Sequence, residues 1–332
     1  MRKIKINVIV AATVIWTLFT GGVLPAAEYP QKPIQILVGF PPGGAADLST
    51  RTLVEAAKPF FPKPFIVVNK PGGGSVLATN EMVQSAPNGY TLCNVLIASL
   101  TSSPHLESGL PYKGPEDVQP VISVINSQNT ITVKADAPWK TMTDLIDYAK
   151  TNPGKLRIGN AGVGTPTHLH YLSLKLAGVP MSEVPFAGGP QAIMALLGGH
   201  IEGASVNVTN VLPHIRAGKL KILALFTEAR VNDVPELKGV PTLKELGYGN
   251  TITEGAGYAI CAPRGTPPKI IDILHEGLLK AEKSEPFQKF GRDNVLSLEL
   301  KGPDELKREF ERSYAFYRDF IRKTGLKMTP KK

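Results

Sequence analysis

Apolar runs of strand length alternate with amphipathic, helix-like segments along most of the chain. The first apolar run, residues 34–40, predicts a buried strand, and a helix-like segment over residues 48–58 follows it. Further strands are predicted over residues 65–68, 91–98, 120–125, 131–133, 156–159, 201–206, 221–225 and 258–262. Because helix-like segments separate most of these runs, their order predicts an α/β fold with largely parallel sheets.

The last third of the chain has helical periodicity. Helices are predicted over residues 268–283 and 304–324. In the second of them large apolar side chains recur every three or four residues, at Phe310, Tyr314, Tyr317 and Ile321. A stripe with this spacing lies along one helix face, so we expect it to dock the helix onto a core.

Residues 1–27 differ from the rest of the chain. They begin with a basic segment, continue with an apolar stretch over residues 8–19, and end in the small residues Ala26 and Ala27. This pattern predicts a secretory signal peptide that is cleaved after Ala27. The apolar stretch is shorter than the roughly 20 residues that a membrane-spanning helix needs, so an uncleaved anchor is the weaker alternative.

The composition is that of a soluble globular protein. Of the 332 residues, 42% are hydrophobic and 20% are charged, and the length suffices for two ordinary domains. The net charge is +9, and removal of the leader with its three basic residues leaves +6 on the mature chain. These charges are scattered and form no Lys/Arg run with interleaved aromatic residues, so we expect no nucleic-acid partner.

Two cysteines, Cys93 and Cys261, each lie in an apolar run. Export permits a disulfide, but the sequence does not show that their Cα atoms come within bonding reach. We interpret them as two separately buried thiols, with pairing as the alternative.

The glycine turn between the first strand and the first helix carries the strongest chemical signal. A strand feeding a Gly-Gly turn that opens a helix points several unpaired backbone N–H groups at one spot, where the helix dipole also favours negative charge. Gly43 and Gly44 allow a tight turn and a close approach of a ligand to the backbone. Asp47 lies near the helix start, with Arg51 one turn later as an ion-pair partner. The alternative is a turn whose glycines serve geometry alone.

A second strand–loop–helix of the same kind lies in the other half of the chain. The strand over residues 156–159 leads into a loop in which Thr165 fits the N-cap and Pro166 the first helical position. Two inward-pointing helix N-termini, one from each half, would clamp a molecule with anionic or polar groups at both ends.

Many short motifs occur in the order in which one known family carries them. They lie at residues 29–34, 40–44 with Asp47 and Arg51, 69–72, 88–92, 152–156, 162–169, 217–220 and 262–267. No single motif is diagnostic, but together they cover the whole mature chain. On these residues the chain resembles the Bug, or TctC-like, periplasmic receptors of tripartite tricarboxylate transporters.

The resemblance implies a type II periplasmic-binding-protein fold of the α/β class, in which two crossover strands join two lobes around a ligand cleft. Residues 28–126 and 256–332 would form lobe 1, and residues 127–255 would form lobe 2. It implies a periplasmic receptor, not an enzyme, that captures a small organic carboxylate and delivers it to the membrane subunits of the transporter. The carboxylate could be a mono- or dicarboxylate, aliphatic or aromatic. No cofactor or metal is implied, and such receptors are usually monomers.

The resemblance also assigns the site. In that family the loop matching residues 40–47 holds a ligand carboxylate through backbone N–H groups, the loop matching residues 160–165 closes from the other lobe, and bound waters commonly bridge ligand and protein. A third loop matches Asn207, and a fourth matches residues 187–189. The expected ligand-binding residues are Phe40, Pro42, Gly43, Gly44, Ala45, Ala46, Asp47, Asn160, Ala161, Gly162, Gly164, Thr165, His168, Ala187, Gly188 and Asn207.

The chain departs from the family pattern at several positions. Asn160 replaces a usual Ser, Val206 a frequent Asp, and Asn88 the Asp of an Asp-Gly-Tyr-Thr-Leu motif, while Phe186 and Ala187 replace a common Tyr-Lys pair. Asn160 can still hydrogen-bond a ligand. Val206 and Ala187 lack the polar groups, so we expect a more apolar ligand, whose identity stays open.

Two other functions compete with transport. For an exported enzyme, Ser75, Ser99 and Ser205 have no base evident in the sequence, and zinc-protease, nucleophile-elbow and Walker motifs are absent. His168 and His170 lie two residues apart on a predicted helix and so point to different faces, which makes them poor chelators. A ligand sensor that hands its closed form to a signalling partner would use the same fold. Neighbouring genes for transporter membrane subunits would favour uptake, and a neighbouring sensor kinase would favour sensing.

Overall fold

Two β-sheets, each flanked by helices, form two lobes. A computed structural model describes residues 29–248 and 255–325, so the predicted signal peptide and its cleavage point lie outside the described residues. The strands are β1 Ile34–Val38, β2 Phe65–Asn69, β3 Thr91–Leu96, β4 Val118–Ser127, β5 Asn129–Lys134, β6 Arg157–Asn160, β7 Ser182–Pro185, β8 Gly203–Asn207, β9 Leu220–Leu225, β10 Ala256–Pro263 and β11 Leu296–Ser297. Lobe 1 has the strand order β11-β4-β10-β3-β1-β2, and lobe 2 has the order β7-β6-β8-β5-β9.

The sheets are mixed, so the prediction of largely parallel sheets is wrong in this respect. In lobe 1, β1 pairs in parallel with β2 and β3, but β10 pairs antiparallel with β3 and β4. In lobe 2, β6 pairs in parallel with β7 and β8, but β5 pairs antiparallel with β8 and β9. The antiparallel pairs involve the strands on which the chain passes between the lobes. β5 and β10 each follow a strand of the other lobe. They can therefore pair antiparallel with their neighbours, because only parallel neighbours that are consecutive in one sheet need a helical crossover.

The chain passes between the lobes twice. Only Gln128 separates β4 of lobe 1 from β5 of lobe 2, and the chain returns to lobe 1 between β9 and β10. This is the two-lobed α/β architecture, with strands crossing between the lobes, that the family resemblance implies.

The described helices largely follow the predicted segments. They are α1 Ala45–Ala57, α2 Val76–Val83, α3 Ile97–Leu106, α4 Met142–Thr151, α5 Pro166–Leu176, α6 Gly189–Leu197, α7 Val208–Arg216, α8 Pro268–Glu282, α9 Glu285–Asp293 and α10 Pro303–Thr324. The sequence did not predict α3 or α9, and α7 begins at Val208, directly after the predicted site residue Asn207.

Helix α3 was not predicted because burial in the folded protein, and not its local sequence, stabilises it. Its sequence is rich in Ser and Thr and has no apolar period, yet Ser99, Thr101, Ser102 and Ser103 are all buried. The Thr101 hydroxyl donates to the Ile97 carbonyl oxygen 2.8 Å away, so the helix satisfies its own polar side chain. Packing therefore outweighs a weak local preference.

Two helix starts carry a local capping signal that is visible in the sequence. Thr141 forms a capping box with Asp144, in which each side chain accepts from the other residue's backbone N–H. Thr165 caps α5, and Pro166 occupies its first position. Both motifs lie within a few residues in sequence, which is why sequence alone suffices.

The lobe 1 sheet has a hydrophobic core on each face. Helices α1 and α8 cover one face, and α2, α3 and α10 cover the other. The predicted stripe of α10 docks as expected at Phe310, Tyr317 and Ile321, which are buried. Tyr317 and Ile321 also share a cluster with Leu169 of α5, so the C-terminal helix contacts both lobes. Among the helices of the described residues, none has both the length and the apolar character needed to cross a bilayer.

The two thiols are buried and unbonded, as interpreted from the sequence. Cys93 and Cys261 nevertheless lie directly opposite each other across the β3–β10 pair. Burial raises the pKa of both thiols, which disfavours the reactive thiolate.

Candidate ligand-binding cleft

The carboxyl ends of parallel strands from both lobes face each other. In lobe 1, β1, β2 and β3 run in parallel and end at Val38, Asn69 and Leu96; in lobe 2, β6, β7 and β8 end at Asn160, Pro185 and Asn207. Every residue predicted for the site lies at the end of one of these strands, in the loop that follows it, or in the first turn of the next helix. Ligands of open α/β sheets bind at the carboxyl ends of the strands, so this is the candidate cleft.

The N-terminus of α1 offers unpaired backbone donors at this cleft. Its N-cap is Gly44, and the first helical hydrogen bond runs 2.9 Å from Leu48 N–H to the Gly44 carbonyl oxygen. The N–H groups of Ala45, Ala46 and Asp47 precede that bond, and no side chain in the described part of the chain caps them. These three residues are buried. A helix start with buried, uncapped donors is suited to an anion.

Asp47 organises the loop in front of these donors. Its carboxylate accepts from Gly43 N–H at 2.9 Å, from Arg51 Nε at 2.8 Å and from Asn69 Nδ2 at 2.9 Å. Asn69 Nδ2 also donates to the Phe40 carbonyl oxygen at 3.0 Å. Gly43 adopts φ +83°, a conformation that favours glycine. Asp47 therefore fixes the turn and lies within the loop network.

Replacing Asp47 with Ala is expected to weaken carboxylate binding about ten-fold, roughly 1.4 kcal/mol, because the turn loses the acceptor that holds Gly43. Isothermal titration with the best carboxylate of a ligand screen measures this. Asp47→Asn keeps an acceptor for the Gly43 N–H and should lose less affinity. An unchanged Kd in Asp47→Ala would mean that the turn keeps its shape without this carboxylate.

Helix α6 of lobe 2 faces α1 across the cleft. Its N-cap Gly188 also lacks a side-chain cap among the described residues. A Cβ placed on Gly44 would lie 3.6 Å from Pro190 Cδ, and one placed on Gly188 would lie 2.9 Å from Pro41 Cδ. The starts of α1 and α6 are therefore in contact, and the lobes are closed upon each other at this point.

The start of α7 lies beside α6. Its N-cap Asn207 is buried, and the Asn207 Nδ2 atom has no hydrogen-bond partner among the described residues. Asn210, one turn into α7, packs its amide against Gly189. A buried amide donor without a partner costs free energy unless a ligand or water satisfies it, which supports the prediction of Asn207 as a site residue.

Three backbone N–H groups of the loop over residues 160–165 already form hydrogen bonds with side chains of this loop and of α5. Ala161 N–H donates to Thr167 Oγ1 at 3.0 Å, Gly162 N–H to Asn160 Oδ1 at 2.9 Å, and Gly164 N–H to His168 Nδ1 at 3.2 Å. Asn160 Nδ2 in turn donates to Glu183 at 2.7 Å. The Thr165 side chain caps α5. The start of α5 is therefore capped, whereas the start of α6 has no side-chain cap.

The same loop contacts lobe 1 directly. Ser99 and Ser102 of α3 both donate to the Gly164 carbonyl oxygen, at 3.3 and 3.1 Å. A Cβ on Gly74 would lie 2.5 Å from the Val163 carbonyl oxygen, and Gly74 has φ +62°. Only glycine permits this close approach of the two lobes.

The two histidines of α5 point in different directions. His168 is buried, with Nδ1 accepting from Gly164 and Nε2 lying 3.5 Å from Glu183 Oε1. Burial lowers the pKa of His168, although the Glu183 carboxylate opposes this shift. The ring of His170 stacks on Phe226 with the ring centroids 3.7 Å apart. In the described part of the chain no group of three or more His, Cys, Asp or Glu residues is placed to hold a metal ion.

Three predicted residues lie apart from the buried donors. Pro42 and Gly43 are exposed, and Phe40 packs edge-on against Tyr258 in the core of lobe 1 with its ring centroid 6.0 Å away. Val206, which was expected to make the cleft more apolar, packs in the core of lobe 2 instead. Residues 206 and 207 point to opposite faces of β8, so only one of them reaches the cleft.

Ser75 is a site candidate that sequence reasoning missed. It is buried and has φ +86°, a conformation that is strained for a residue with a Cβ. Its hydroxyl has no hydrogen-bond partner among the described residues and packs against Gly39, next to residues 40–47, which we call the carboxylate loop. The Gly72–Gly74 run before it was the available signal, because it marks a second strand-to-helix turn at the same edge of the sheet.

A cavity of about 870 Å³ opens beside the cleft. It is bounded by the turns at Gly73–Gly74 and Gly162–Gly164, by helix α5, and by Phe186 and Ala187. Four predicted site residues line it: Gly162, Gly164, His168 and Ala187. Residues 40–47 do not line it, so the cavity does not contain the α1 donors.

Two α/β lobes joined by crossing strands, with the carboxyl ends of their parallel strands facing each other, form the fold of periplasmic binding proteins. Residues 50–310 match the family model described as the tripartite tricarboxylate transporter family receptor. The chain belongs to this family, known as TctC or Bug, whose members are periplasmic solute-binding receptors.

Relatives with known sequences and structures agree with this membership. The UPF0065 protein in the gbd 5′ region of Cupriavidus necator is 37% identical over 257 residues, which cover 77% of this chain and 76% of that protein. Protein BugT of Bordetella pertussis is 31% identical over 313 residues, which cover 91% and 92%. The solved structure of periplasmic binding protein BugD superposes with a TM-score of 0.84 at 28% identity, covering 90% of this chain and 100% of BugD.

Proposed function

We propose that this receptor captures a small organic carboxylate in the cleft and delivers it, as a monomer, to the membrane subunits of a tripartite tricarboxylate-type transporter. The observation that carries this proposal is the buried, uncapped start of α1, which contacts the start of α6, where Gly188 likewise provides no side-chain cap. The family description, with its tricarboxylate transporter, supports the same class of ligand and partner.

The donors suit a receptor that must also release its ligand. Each hydrogen bond to a charged carboxylate contributes about 1.5–3 kcal/mol, and a helix N-terminus adds roughly 0.3–1 kcal/mol. Three or four such bonds with some apolar burial reach about −8 kcal/mol, which corresponds to a micromolar Kd before ordering costs are subtracted. Neutral donors bind without the very tight pairing of a buried cation.

Closure of the lobes would couple capture to delivery. A ligand that contacts both α1 and α6 does so only when the lobes are closed, so it shifts the open–closed equilibrium by its differential affinity. The closed form then presents one defined surface to the membrane subunits. Ser75 and Asn207 would contribute the hydroxyl and amide that are left without partners in the described part of the chain.

A thermal-shift screen tests the proposal. Mature protein is heated with a panel of organic acids, with their matched amides and with sugars. A ligand at about 100 times its Kd should stabilise the folded state by roughly 2.7 kcal/mol, which raises Tm by a few degrees. A rise with acids that their amides do not produce is expected. If sugars or amides raised Tm and acids did not, the carboxylate assignment would be wrong.

A further inference from the structure

The peptide group of Gly164 links the two lobes to a histidine. Its carbonyl oxygen accepts hydrogen bonds from Ser99 and Ser102 of lobe 1, at 3.3 and 3.1 Å, and its N–H donates to His168 Nδ1 of lobe 2 at 3.2 Å. We propose that these four residues form a latch that holds the lobes closed, and that protonation of His168 releases it. The proposal goes beyond the proposed function, because it concerns closure of the lobes and does not depend on which ligand is bound.

The lobe 1 side of the latch is buried and firmly attached. Ser99 and Ser102 lie in α3, and both are buried. The hydroxyl oxygen of Thr101, between them, lies 2.9 Å from that of Ser313 in α10, which ties α3 to the rest of lobe 1. Residues 160–165 belong to lobe 2, so the two serine bonds to Gly164 exist only while the lobes are in contact.

The lobe 2 side of the latch depends on one tautomer of His168. Because Nδ1 accepts from the Gly164 N–H, the single proton of the neutral ring is on Nε2, which lies 3.5 Å from Glu183 Oε1. Gly164 is buried, so its N–H needs this acceptor. The neutral imidazole therefore holds the Gly164 peptide in the orientation that the two serines bind.

Protonation of His168 removes that acceptor. The added proton binds Nδ1, so an N–H of the ring and the N–H of Gly164 then point at each other across 3.2 Å. A buried donor without an acceptor costs free energy, which the loop avoids by moving until the Gly164 N–H reaches water. The Gly164 carbonyl belongs to the same short loop, so this movement takes it away from Ser99 and Ser102.

The groups around His168 set the direction of its pKa. Glu183 of β7 faces the ring and favours protonation, while Glu107 after α3 and Tyr171 and Lys175 of α5 line the same cavity as the ring. Burial is the larger effect and lowers the pKa of His168 below its ordinary value of 6.5. At neutral pH the ring is therefore uncharged, and the latch is complete.

Closure itself supplies part of that burial. Ser103 and Leu106 of lobe 1 line the cavity together with His168, so opening the lobes would admit water to the ring and return its pKa towards 6.5. Because the lowered pKa belongs to the closed form, closure is favoured above pH 6.5 and is lost as the pH falls from 6.5 through the lowered pKa. Within that window the ratio of closed to open protein should fall by up to ten-fold per unit of pH.

Small-angle X-ray scattering of the mature protein between pH 7.5 and 5.5 tests the proposal, because opening of two lobes raises the radius of gyration. The protein is first unfolded, dialysed and refolded, so that no solute from the expression host holds it closed. A small radius at pH 7.5 that grows below pH 6.5 is expected. A radius that does not change with pH, whether large or small, would overturn the proposal and leave the proposed function standing.

Variants then assign the response to the latch. His168→Asn keeps an acceptor close to the position of Nδ1 but does not titrate, so it should stay closed at pH 5.5. His200→Asn is the matched control, because His200 is exposed and should leave the response unchanged. A response to pH that persists in His168→Asn would mean that another group carries it, and the proposal would be wrong.

Removing the two serine donors tests the other half of the latch. The double variant Ser99→Ala, Ser102→Ala should shift the ratio of closed to open protein about 30-fold towards the open form at pH 7.5, because two hydrogen bonds between the lobes are lost. Its radius of gyration should then hardly depend on pH. This variant also decides the question if His168→Asn does not fold, since an unchanged response to pH without the serines would contradict the latch.

Discussion

Replacing Gly44 with Asp should abolish carboxylate binding while the protein stays folded and as heat-stable as before, or more so. Gly44 is the N-cap of α1 with φ −82° and ψ 169°, the extended geometry in which an Asp side chain accepts from the second or third helical N–H. The introduced carboxylate would therefore occupy the donors that are proposed for the ligand. Losing two charge-assisted bonds costs about 3–6 kcal/mol, so the Kd should rise at least about 100-fold.

The expected stability change separates this result from simple misfolding. An Asp in place of Gly at an N-cap stabilises a helix by a few tenths of a kcal/mol, and its charge also suits the helix dipole. Gly44→Ala is the matched control, because its Cβ would make only ordinary contacts, 3.6 Å from Pro190 Cδ. It should bind within a few-fold of the parent. Full affinity in a folded Gly44→Asp protein would place the ligand carboxylate away from α1.

The first carboxylate loop was predictable because all its parts lie close in sequence. The strand, the glycine turn and the helix start follow one another within residues 34–57, and Asp47 reaches back only four residues to Gly43. The resemblance to the receptor family then set this loop at the cleft. The helix start that lies opposite this loop could not be predicted in the same way, because its identity depends on which loops meet across the two lobes.

The prediction that the start of α5 lies opposite α1 shows what the local sequence cannot determine. Thr165 predicted the start of α5 correctly, but a residue that caps a helix also occupies one of its free donors. The starts of α1 and α6, whose N-caps are Gly44 and Gly188, carry no such cap. A strong local cap therefore predicts where a helix begins, and at the same time argues against an anion site there.

Ser75 and Asn207 were predictable to different degrees. Asn207 follows a strand in sequence and matches a family position, so it was assigned. Ser75 depends on a positive φ and on packing against Gly39, and neither property can be read from a Ser after three glycines. The mixed sheets were missed for a similar reason, since the direction of β10 depends on its return from the other lobe.

Glu282 should make the protein less stable as pH rises from about 4.5 towards 9. Its side chain is buried at the end of α8, and neither carboxyl oxygen has a hydrogen-bond partner among the described residues. Burial raises the pKa of Glu282 to about 9, from an ordinary value of 4.5. Because the raised pKa belongs to the folded state, stability is greatest below the unfolded pKa and falls as the unfolded carboxyl ionises while the folded one stays protonated. At pH 7 the loss is on the order of 3 kcal/mol.

Replacing Glu282 with Gln removes this ionisation and should flatten that part of the pH profile. Chemical unfolding of the parent and the variant between pH 5 and 8.5 measures the effect as a difference, which cancels the titration of groups that both proteins share. The variant should gain stability relative to the parent with each unit of pH. Glu276→Gln on the same helix is the control, because Glu276 is exposed and should change the profile little. Parallel profiles for the parent and Glu282→Gln would mean that the buried carboxyl ionises with its ordinary pKa, which requires a cation or water beside it in solution.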